Sequence, residues 1–305
     1  MGDERAVALA SLTLKQALDQ ISGEIDARFD ALLAVPDDSR ADLYRAMRHA
    51  AIGGGKRLRP LLVCATARLF GVDRDCASRA ALAIECVHVY SLIHDDLPAM
   101  DDDDLRRGKP TVHKAFGEAT AILAGDALQS LAFEVLADPA THADPFVRAE
   151  MALELARAAG PAGMAGGQAM DLAAEKTSLD LATITRLQAL KTGALIGCAV
   201  ELGLILGHVP PDGRTPLRGY ARDIGLAFQI ADDMLDATGD EAQVGKRVGK
   251  DEAAGKETFL TLLGLERARD QARALVEQAI AHLHNFGEEA DLLRDLARFV
   301  LERDR

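Results

Sequence analysis

The spacing of apolar positions along the chain predicts a protein built almost entirely of α-helices. Ala, Leu, Glu and Arg are abundant, and runs of β-branched residues with the two-residue period of a strand are missing. Pro and Gly separate the helical segments, and Ser39 and Asp180 have the residue types of N-caps. The predicted helices lie near 6–34, 40–52, 59–70, 75–97, 117–137, 145–160, 164–174, 180–206, 215–238, 256–285 and 288–303.

One segment has a different composition from the helices around it. Residues 239–255, with the sequence GDEAQVGKRVGKDEAAG, place glycines among charged side chains. Such a stretch is typical of an exposed loop, either a surface linker or a flexible active-site loop that follows an acidic helix. No linker divides the rest of the chain, so we expect a single domain over 1–305. The predicted fold class is all-α, a single large bundle of about ten or more helices around a central cavity.

The charge and the apolar stretches argue against several classes of protein. The net charge is −13, from 48 acidic and 35 basic residues, whereas a nucleic-acid-binding protein would need a basic face. We expect no signal peptide, because no basic region precedes an apolar run at the N-terminus. The most apolar stretch, Thr192 to Leu206, contains Glu201 and is judged too short to span a bilayer. We therefore expect a cytoplasmic protein with free thiols, no integral membrane segment and no nucleic-acid partner.

The clearer of two acidic motifs lies at 229–236, with the sequence QIADDMLD. Because successive helical residues turn by about 100°, Gln229, Asp232, Asp233 and Asp236 lie on one face of a helix. Burying several like charges on one stripe is costly unless a cation compensates them. A solvated acidic face is the competing interpretation, and for a single motif of this kind it is equally common.

The other acidic motif, DDLPAMDDDD, occupies residues 95–104. On a continuous helix Asp95 and Asp101 would lie about 120° apart, too far to share a metal ion. Pro98 has no N–H and clashes with the preceding turn, so we expect the helix to end at Asp95 and Asp101 to fold back from an irregular turn. Runs of acids are usually solvated, so of these later acids we expect only Asp101, or Asp101 with Asp102, to reach a metal.

The residue types around the motifs indicate a metal-bridged diphosphate. Carboxylates without cysteines suit hard cations such as Mg²⁺, which proteins bind through a few carboxylates, waters and substrate phosphates. Calcium is the competing ion, but the chain has no EF-hand spacing. Cations lie near both motifs, in GGGKRLRP at 53–60, at Arg106-Arg107 and at Lys191 within an apolar helix. The first of these is not a P-loop, because GxxxxGK[ST] is missing.

Taken together, five segments resemble the short-chain trans-prenyl diphosphate synthases, and within that family the bacterial farnesyl diphosphate synthases. The likeness runs in the family's order over most of the chain. The segments are GGGKRLRP (53–60), VHVYSLIHDDLPAMDDDDLRRGKPTVH (87–113), GGQAMDL (166–172), LKTGALI (190–196) and FQIADDMLDATGD (228–240).

The resemblance implies a helical bundle of the isoprenoid synthase type and a magnesium-dependent prenyltransferase. Such an enzyme joins isopentenyl diphosphate head-to-tail to dimethylallyl or geranyl diphosphate, by ionisation, condensation and elimination, to give farnesyl diphosphate. Metal ions acting as Lewis acids make the diphosphate a competent leaving group, and water must be excluded from the cation. Family members usually form homodimers, and we expect the same here.

The resemblance also implies a role for individual residues. Three Mg²⁺ ions, with Mn²⁺ as the alternative, would be held by Asp95, Asp101, Asp232 and Asp236, supported by Asp96 and Asp233. The allylic diphosphate would be bound by Arg106, Lys191 and Lys246, and isopentenyl diphosphate by Lys56, Arg59, His88 and Arg107. Thr192 and Gln229 would lie beside the developing cation, and Tyr90 and Ser91 would set the product chain length. Gln168 and Asp171 match a further cavity motif.

Three alternatives stay open from the sequence. A geranylgeranyl diphosphate synthase of the same fold would differ only in its product. A class I terpene cyclase would share an aspartate-rich motif and magnesium but would not need an isopentenyl diphosphate site. A non-catalytic subunit of a heteromeric synthase should lack motif aspartates, and this chain has all of them.

Overall fold

The computed structural model describes residues 12–174, 179–238 and 258–302, and they are mainly α-helical. The predicted all-α fold class is therefore confirmed. The helices are α1 (Leu14–Leu32), α2 (Ala41–Ala51), α3 (Leu58–Arg68), α4 (Arg74–Asp95), α5 (Val112–Phe116), α6 (Glu118–Ala137), α7 (Pro145–Ala159), α8 (Met164–Ala174), α9 (Leu181–Gln188), α10 (Ala194–Leu206), α11 (Thr215–Thr238), α12 (Phe259–Leu263), α13 (Leu265–His282) and α14 (Asp291–Glu302).

Helix α4 lies at the centre of the bundle. It packs against α1, α2, α3, α6 and α10, and its residues from Ala80 to Val87 are all buried. Helix α10 is apolar except for Glu201 and is buried from Cys198 to Leu206, and α11 packs against it and against α13. A helix that is apolar all round belongs in a core, and burying each large aliphatic side chain contributes about 1.5–3 kcal/mol. The carboxyl ends of α4 and α11, which carry the two acidic motifs, are thereby fixed in the middle of the protein.

The structure differs from the predicted helices in four places. The predicted helix 180–206 is interrupted by a π-helical turn at Ala189–Gly193, and 256–285 is divided at Gly264, whose φ is +75°. Gly264 has no Cβ and therefore adopts this left-handed backbone without strain. Ser39 is not an N-cap, because α2 begins after Arg40, which makes no side-chain cap bond. Asp180 is an N-cap, since its Oδ1 accepts a hydrogen bond from the Thr183 N–H at 2.8 Å.

A short hairpin between α4 and α5 is the fourth difference. Strands β1 (Leu105–Arg106) and β2 (Lys109–Pro110) pair antiparallel, with Arg106 opposite Lys109. The two turn residues, Arg107 and Gly108, have φ values of +53° and +74°, as a two-residue hairpin of type I′ requires. Two-residue strands carry no periodic signal, and the acidic run before them hides the hairpin in the sequence.

Two predictions fall on parts of the chain outside the described residues. The proposed active-site loop at 239–255 lies there, and so does Lys246, a predicted ligand of the allylic diphosphate. The single domain over 1–305 stays a prediction, although the described residues share one contiguous hydrophobic core.

Length and composition alone would allow three described helical stretches to cross a membrane. They are Arg74–Asp95, Glu118–Ala137 and Leu181–Leu206. The sequence analysis considered only Thr192 to Leu206 and judged it too short, but the helical stretch extends back to Leu181, so that length argument fails. In chain order, 72%, 39% and 61% of the most apolar window in the three stretches is buried. The first and third stretches therefore serve mainly as core helices.

Candidate active site

The helices surround a cavity of about 1250 Å³. Acidic, basic and uncharged polar side chains line part of it, and another part of the lining is apolar. The apolar part is built from helices α4, α8, α9, α10 and α11 and includes Leu92, Met164, Leu172, Ile184, Leu187, Leu195 and Phe228. A cavity with both kinds of lining suits a ligand that has an anionic head and an apolar body.

The first acidic motif enters the cavity at the carboxyl end of α4. The helix ends at Asp95, and the Asp101 N–H donates a hydrogen bond to the Asp95 carbonyl oxygen at 2.9 Å. The chain therefore breaks at Pro98 and folds back, as the sequence predicted. Asp95 and Asp101 both line the cavity.

Asp95 lies where a negative charge is poorly stabilised. The pKa of its carboxyl is raised from the ordinary value of 3.8 to about 6, chiefly by burial and also by the nearby charge of Asp101, against the attraction of Lys191. A carboxyl held in this way lacks compensating positive charge. Such a group fits a site that is completed by a bound cation.

Asp96, the next residue, has a different environment. Its side chain is buried, and its Oδ1 accepts a hydrogen bond from Arg106 Nε at 2.7 Å and lies 2.6 Å from Nη2. Asp96 thus holds the β1–β2 hairpin against the end of α4. Arg106 lines the cavity while it makes this ion pair. Burial raises the pKa of Asp96, and the hydrogen bond and charge of Arg106 oppose that rise.

The later acids of this motif divide between the cavity and the surface. Asp102 is not among the described residues that line the cavity, and its Oδ1 lies 3.9 Å from Lys114 Nζ. Asp104 contacts the same lysine at 2.8 Å. Asp103 lines the cavity instead, and its Oδ2 lies 3.8 Å from Arg106 Nη2. Asp103 cannot be distinguished from its identical neighbours by the sequence pattern alone, so this lining residue was not predicted.

The second acidic motif lines the same cavity from near the carboxyl end of α11. Asp232 and Asp236 line the cavity. Asp233 also borders it, but its side chain is buried, and its Oδ1 accepts from Gln229 Nε2 at 3.0 Å. Its other oxygen accepts from the backbone N–H of Phe259 at 3.0 Å, which joins α11 to the first residue of α12.

Gln229 continues this hydrogen-bond network into the adjacent wall. Its Oε1 accepts from the Thr192 hydroxyl at 3.0 Å. Thr192 and Lys191 belong to the π-helical turn between α9 and α10, a type of irregularity that often occurs at functional sites. Lys191 Nζ donates to Asp171 Oδ2 at 2.7 Å, so α8 fixes the direction of this cation.

Close packing of α8 on the π-helical turn requires a glycine. A Cβ at Gly167 would lie 2.2 Å from the Lys191 backbone nitrogen, well inside contact distance. The glycine therefore allows the two backbones to touch. This contact explains Gly167 in the 166–172 segment, whereas a Cβ at Gly166 would instead lie 2.0 Å from the Pro161 carbonyl oxygen.

The four residues predicted to bind isopentenyl diphosphate all line the cavity. They are Lys56, Arg59, His88 and Arg107. Burial lowers the pKa of His88 well below its ordinary value, and the charges of Arg59 and Arg107 lower it further, so His88 is neutral among cations. The group is suited to an anion with more than one negative charge.

The glycine turn before α3 lies directly against Arg107. Gly55 has a φ of +86°, and a Cβ there would lie 2.5 Å from Arg107 Nη2. Helix α14 also reaches this region, because Lys56 Nζ lies 5.2 Å from the centre of the Phe299 ring. The sequence analysis assigned no site beyond residue 265, so this cation–π contact is a feature that it missed.

The residues predicted to set chain length lie deeper along α4. Tyr90 is 9% exposed and lines the cavity, and its ring contacts His94 edge to face. Ser91 also lines the cavity, and its hydroxyl donates to the His88 carbonyl oxygen at 2.8 Å. With a rise of about 1.5 Å per residue, Tyr90 lies about 7.5 Å below Asp95 along the helix axis.

The donor set fits a hard divalent cation. Within the described ranges, no three His, Cys, Asp or Glu side chains converge on one point, as a site formed by protein ligands alone would require. Asp95 and Asp101 line the cavity from the end of α4, and Asp232 and Asp236 line it from α11, so each motif offers carboxylates without closing a coordination shell. This arrangement suits ions whose remaining ligands are waters and substrate phosphates.

This geometry is that of a prenyl-transferring helical bundle, and comparison with known proteins identifies its family. The polyprenyl synthetase family model matches residues 40–297, so the chain belongs to the polyprenyl synthetase family. The resemblance inferred from the sequence is therefore confirmed.

Individual relatives show which members of the family this chain resembles. The chain is 51% identical over 268 residues to farnesyl diphosphate synthase of Escherichia coli K12, covering 86% of this chain and 90% of that protein. A crystal structure of an FPP/GFPP synthase from Zymomonas mobilis matches with a TM-score of 0.87 and 59% identity, covering 94% of this chain and 98% of that one. Geranylgeranyl pyrophosphate synthase 11 of Arabidopsis thaliana is 44% identical over 275 residues, covering 88% of this chain and 76% of that protein.

Proposed function

We propose that this protein is a farnesyl diphosphate synthase, which joins isopentenyl diphosphate to dimethylallyl and geranyl diphosphates. The observation that carries the proposal is that both acidic motifs line one cavity, together with several cationic side chains and an apolar region. A diphosphate and an aliphatic chain together match that lining. The sequence relatives support the fifteen-carbon product.

The cofactor we propose is Mg²⁺, three ions per site, with Mn²⁺ as the alternative. Asp95 and Asp101 would hold ions on one wall, and Asp232 with Asp236 on the other. When bound, the metal supplies Lewis-acid stabilisation of the charge that collects on the leaving diphosphate. The raised pKa of Asp95 supports this assignment, because a bound cation would supply the missing positive charge.

The chain's own residues would orient the substrates and exclude water. Arg106 and Lys191, each fixed by a carboxylate, would bind the allylic diphosphate beside the metal, together with Lys246. Thr192 and Gln229 would place oxygen atoms near the allylic cation, and neutral His88 would donate a hydrogen bond to isopentenyl diphosphate. After the new carbon–carbon bond forms, the resulting carbocation loses a proton to give the product, and the released diphosphate is the base we propose.

A direct assay tests the proposal. Purified protein is incubated with Mg²⁺, labelled isopentenyl diphosphate and each allylic starter, and the dephosphorylated products are separated by chain length. We expect a fifteen-carbon alcohol from the five- and ten-carbon starters and none when the metal is chelated. Failure to condense any starter would overturn the proposed function.

Tyr90 is the residue we propose as the floor of the chain-binding region. Replacing Tyr90 with Ala should deepen the cavity and lengthen the main product beyond fifteen carbons. Tyr90→Phe is the matched control, because it retains the ring and should retain the product length. An unchanged product in Tyr90→Ala would show that the floor lies elsewhere. A wild-type product of twenty carbons would instead favour a geranylgeranyl diphosphate synthase.

We also propose a cytoplasmic homodimer without a membrane-spanning segment. Helices α6 and α7 present an exposed apolar surface that includes Ile122, Leu123, Leu153 and Phe146, the last of which is 81% exposed. Such a surface is typical of an interface between subunits. Light scattering should give twice the 32.5 kDa chain mass for the wild type, and Leu123→Glu should shift the protein to the monomer. A monomeric wild type would contradict the homodimer.

A further inference from the structure

Arg57 lies between two predicted substrate ligands, Lys56 and Arg59, but its side chain is fully buried. Its Nη1 donates to Glu85 Oε1 at 2.6 Å, and its Nη2 donates to Asp26 Oδ1 at 2.6 Å. The Ala51 carbonyl oxygen accepts a further hydrogen bond from Nη2. The guanidinium group is therefore held by α1, α4 and the end of α2 together.

The same contacts fix the glycine turn that carries the two ligands. Asp26 uses its second oxygen to accept a hydrogen bond from the Gly53 N–H at 3.0 Å. Arg57 adopts a left-handed backbone with φ of +49°, which is unfavourable for a residue with a side chain. One carboxylate thus holds both ends of the segment from Gly53 to Arg57. Lys56 lies within this segment, and Arg59 follows it in the first turn of α3.

Glu85 extends this arrangement to the opposite side of the pocket. It is 1% exposed and lies three residues before His88 on α4, so both side chains are on the same face of that helix. Its charge also acts on Arg107, where it raises a pKa that burial lowers. Glu85 is therefore placed among all four residues assigned to isopentenyl diphosphate.

We propose that Glu85 and Asp26 are positioning residues for the isopentenyl diphosphate site, and that they act by holding Arg57, whose guanidinium group is engaged by both carboxylates. The inference rests on the proposed function. A diphosphate is bound best when its cations are already in place, because ordering flexible lysine and arginine side chains costs affinity. The ion pairs that Arg57 makes with Glu85 and Asp26 hold the segment that carries Lys56 and Arg59 in place before the substrate binds.

The test measures binding of isopentenyl diphosphate by calorimetry in the wild type, Glu85→Gln and Asp26→Asn. Each substitution retains the size of the side chain and removes its charge. We expect the Kd to rise about tenfold in both variants, as for other losses of groups that orient ligands. Asp26 is the more informative site, because it does not line the cavity and cannot contact the substrate. It is also partly exposed, so Asp26→Asn retains the fold if Glu85→Gln does not.

Glu201→Gln is the matched control. Glu201 is similarly buried and accepts hydrogen bonds from Arg214 at 2.6 Å and from Arg218 at 2.8 and 2.9 Å, but it does not line the cavity. We expect it to lower the thermal midpoint without changing the Kd. Steady-state kinetics should show that the two test variants weaken the use of isopentenyl diphosphate selectively. Their KM for geranyl diphosphate should change less than about threefold.

Three outcomes would overturn the inference. The Kd for isopentenyl diphosphate could stay within twofold of the wild-type value in Asp26→Asn, or Glu201→Gln could raise it as much as the test variants do. A third outcome, a lower Kd in Glu85→Gln, would show that Glu85 acts only as a repulsive charge and would also contradict the proposal. Because binding is measured without turnover, these results are separate from the product assay that tests the proposed function.

Discussion

The two acidic motifs have the same division of roles but hold different parts of the chain. In each adjacent pair of aspartates, the first residue, Asp95 or Asp232, lines the cavity, and the second, Asp96 or Asp233, is buried and hydrogen-bonded. Asp96 binds Arg106, ten residues away, whereas Asp233 binds the Phe259 N–H, 26 residues away. The first motif therefore closes a local turn, and the second connects two distant helices.

This difference indicates that an aspartate pair in this protein serves two purposes at once. One carboxylate faces the cavity, where a cation would bind, and its neighbour fixes the backbone from which the first projects. In the first motif the fixed element is the hairpin that carries Arg106 and Arg107. In the second motif it is the start of α12, together with Gln229 and Thr192.

The largest predicted effect separates the first aspartate of each pair from the second. Asp95→Asn and Asp232→Asn should each lower kcat about 10³-fold, because each removes a charge that would stabilise the transition state through the metal. Asp96→Asn and Asp233→Asn should cost only about tenfold, because an asparagine can still accept one of the hydrogen bonds. Product formation under saturating substrates and metal measures all four. If the two substitutions within either pair lowered kcat equally, the division of roles between the two aspartates of that pair would be wrong.

A smaller effect concerns stability and pH. The raised pKa of Asp95, about 6 in the folded protein, means that folding favours its protonated form. Ionised Asp95 therefore costs stability above pH 6, at most about 3 kcal/mol and less for a partly exposed group, and the cost disappears as the pH falls below 4. In metal-free protein, Asp95→Asn should raise the thermal midpoint at pH 8 by a few degrees, with the gain shrinking as the pH falls through 6.

Asp104→Asn provides the control for this measurement, because Asp104 is an exposed acid of the same motif. It should show no gain that depends on pH in the same range. A pH-independent gain in Asp95→Asn would mean that the substitution improves packing and does not relieve a buried charge.

The smallest effect concerns Thr258, the N-cap of α12, which directly precedes the residue whose N–H donates to Asp233. Thr258 caps α12 and Thr13 caps α1, each in a reciprocal capping box. Replacing either threonine with Ala should cost about 1 kcal/mol or less. Only Thr258→Ala should also raise the KM for the allylic diphosphate, by about two- to fivefold, because α12 donates to Asp233. If the KM for the allylic diphosphate were the same in both variants, the N-cap of α12 would have no specific effect on the second acidic motif.

Local features of the fold and the site could be predicted from the sequence. Helical periodicity predicted the main helices, and Pro98 predicted that the chain would break between Asp95 and Asp101. The hairpin at 105–110 could not be predicted, because two-residue strands have no period. The π-helical turn could not be predicted either, since its residues are compatible with an ordinary helix.

Contacts between distant residues account for the rest of the site. Arg57 meets Asp26 and Glu85 across 31 and 28 residues, and no local pattern relates these positions. The same holds for Lys56 and the Phe299 ring. The sequence identifies which residues can carry charge or bind a metal, but the packing of helices decides which of them hold the others in place.

The π-helical turn at Ala189–Gly193 makes the number of residues in this part of the chain as important as their identity. A π-turn contains about one residue more than an α-turn. Deleting a single residue such as Ala189 would let α9 continue into α10 as a regular helix. The helices α9 and α10 would keep nearly the same relative register, because a π-turn accommodates its extra residue within one turn, but the side chains of Lys191 and Thr192 would shift around the helix axis, away from Asp171 and Gln229. A one-residue deletion at this position should therefore be more damaging than any single substitution there.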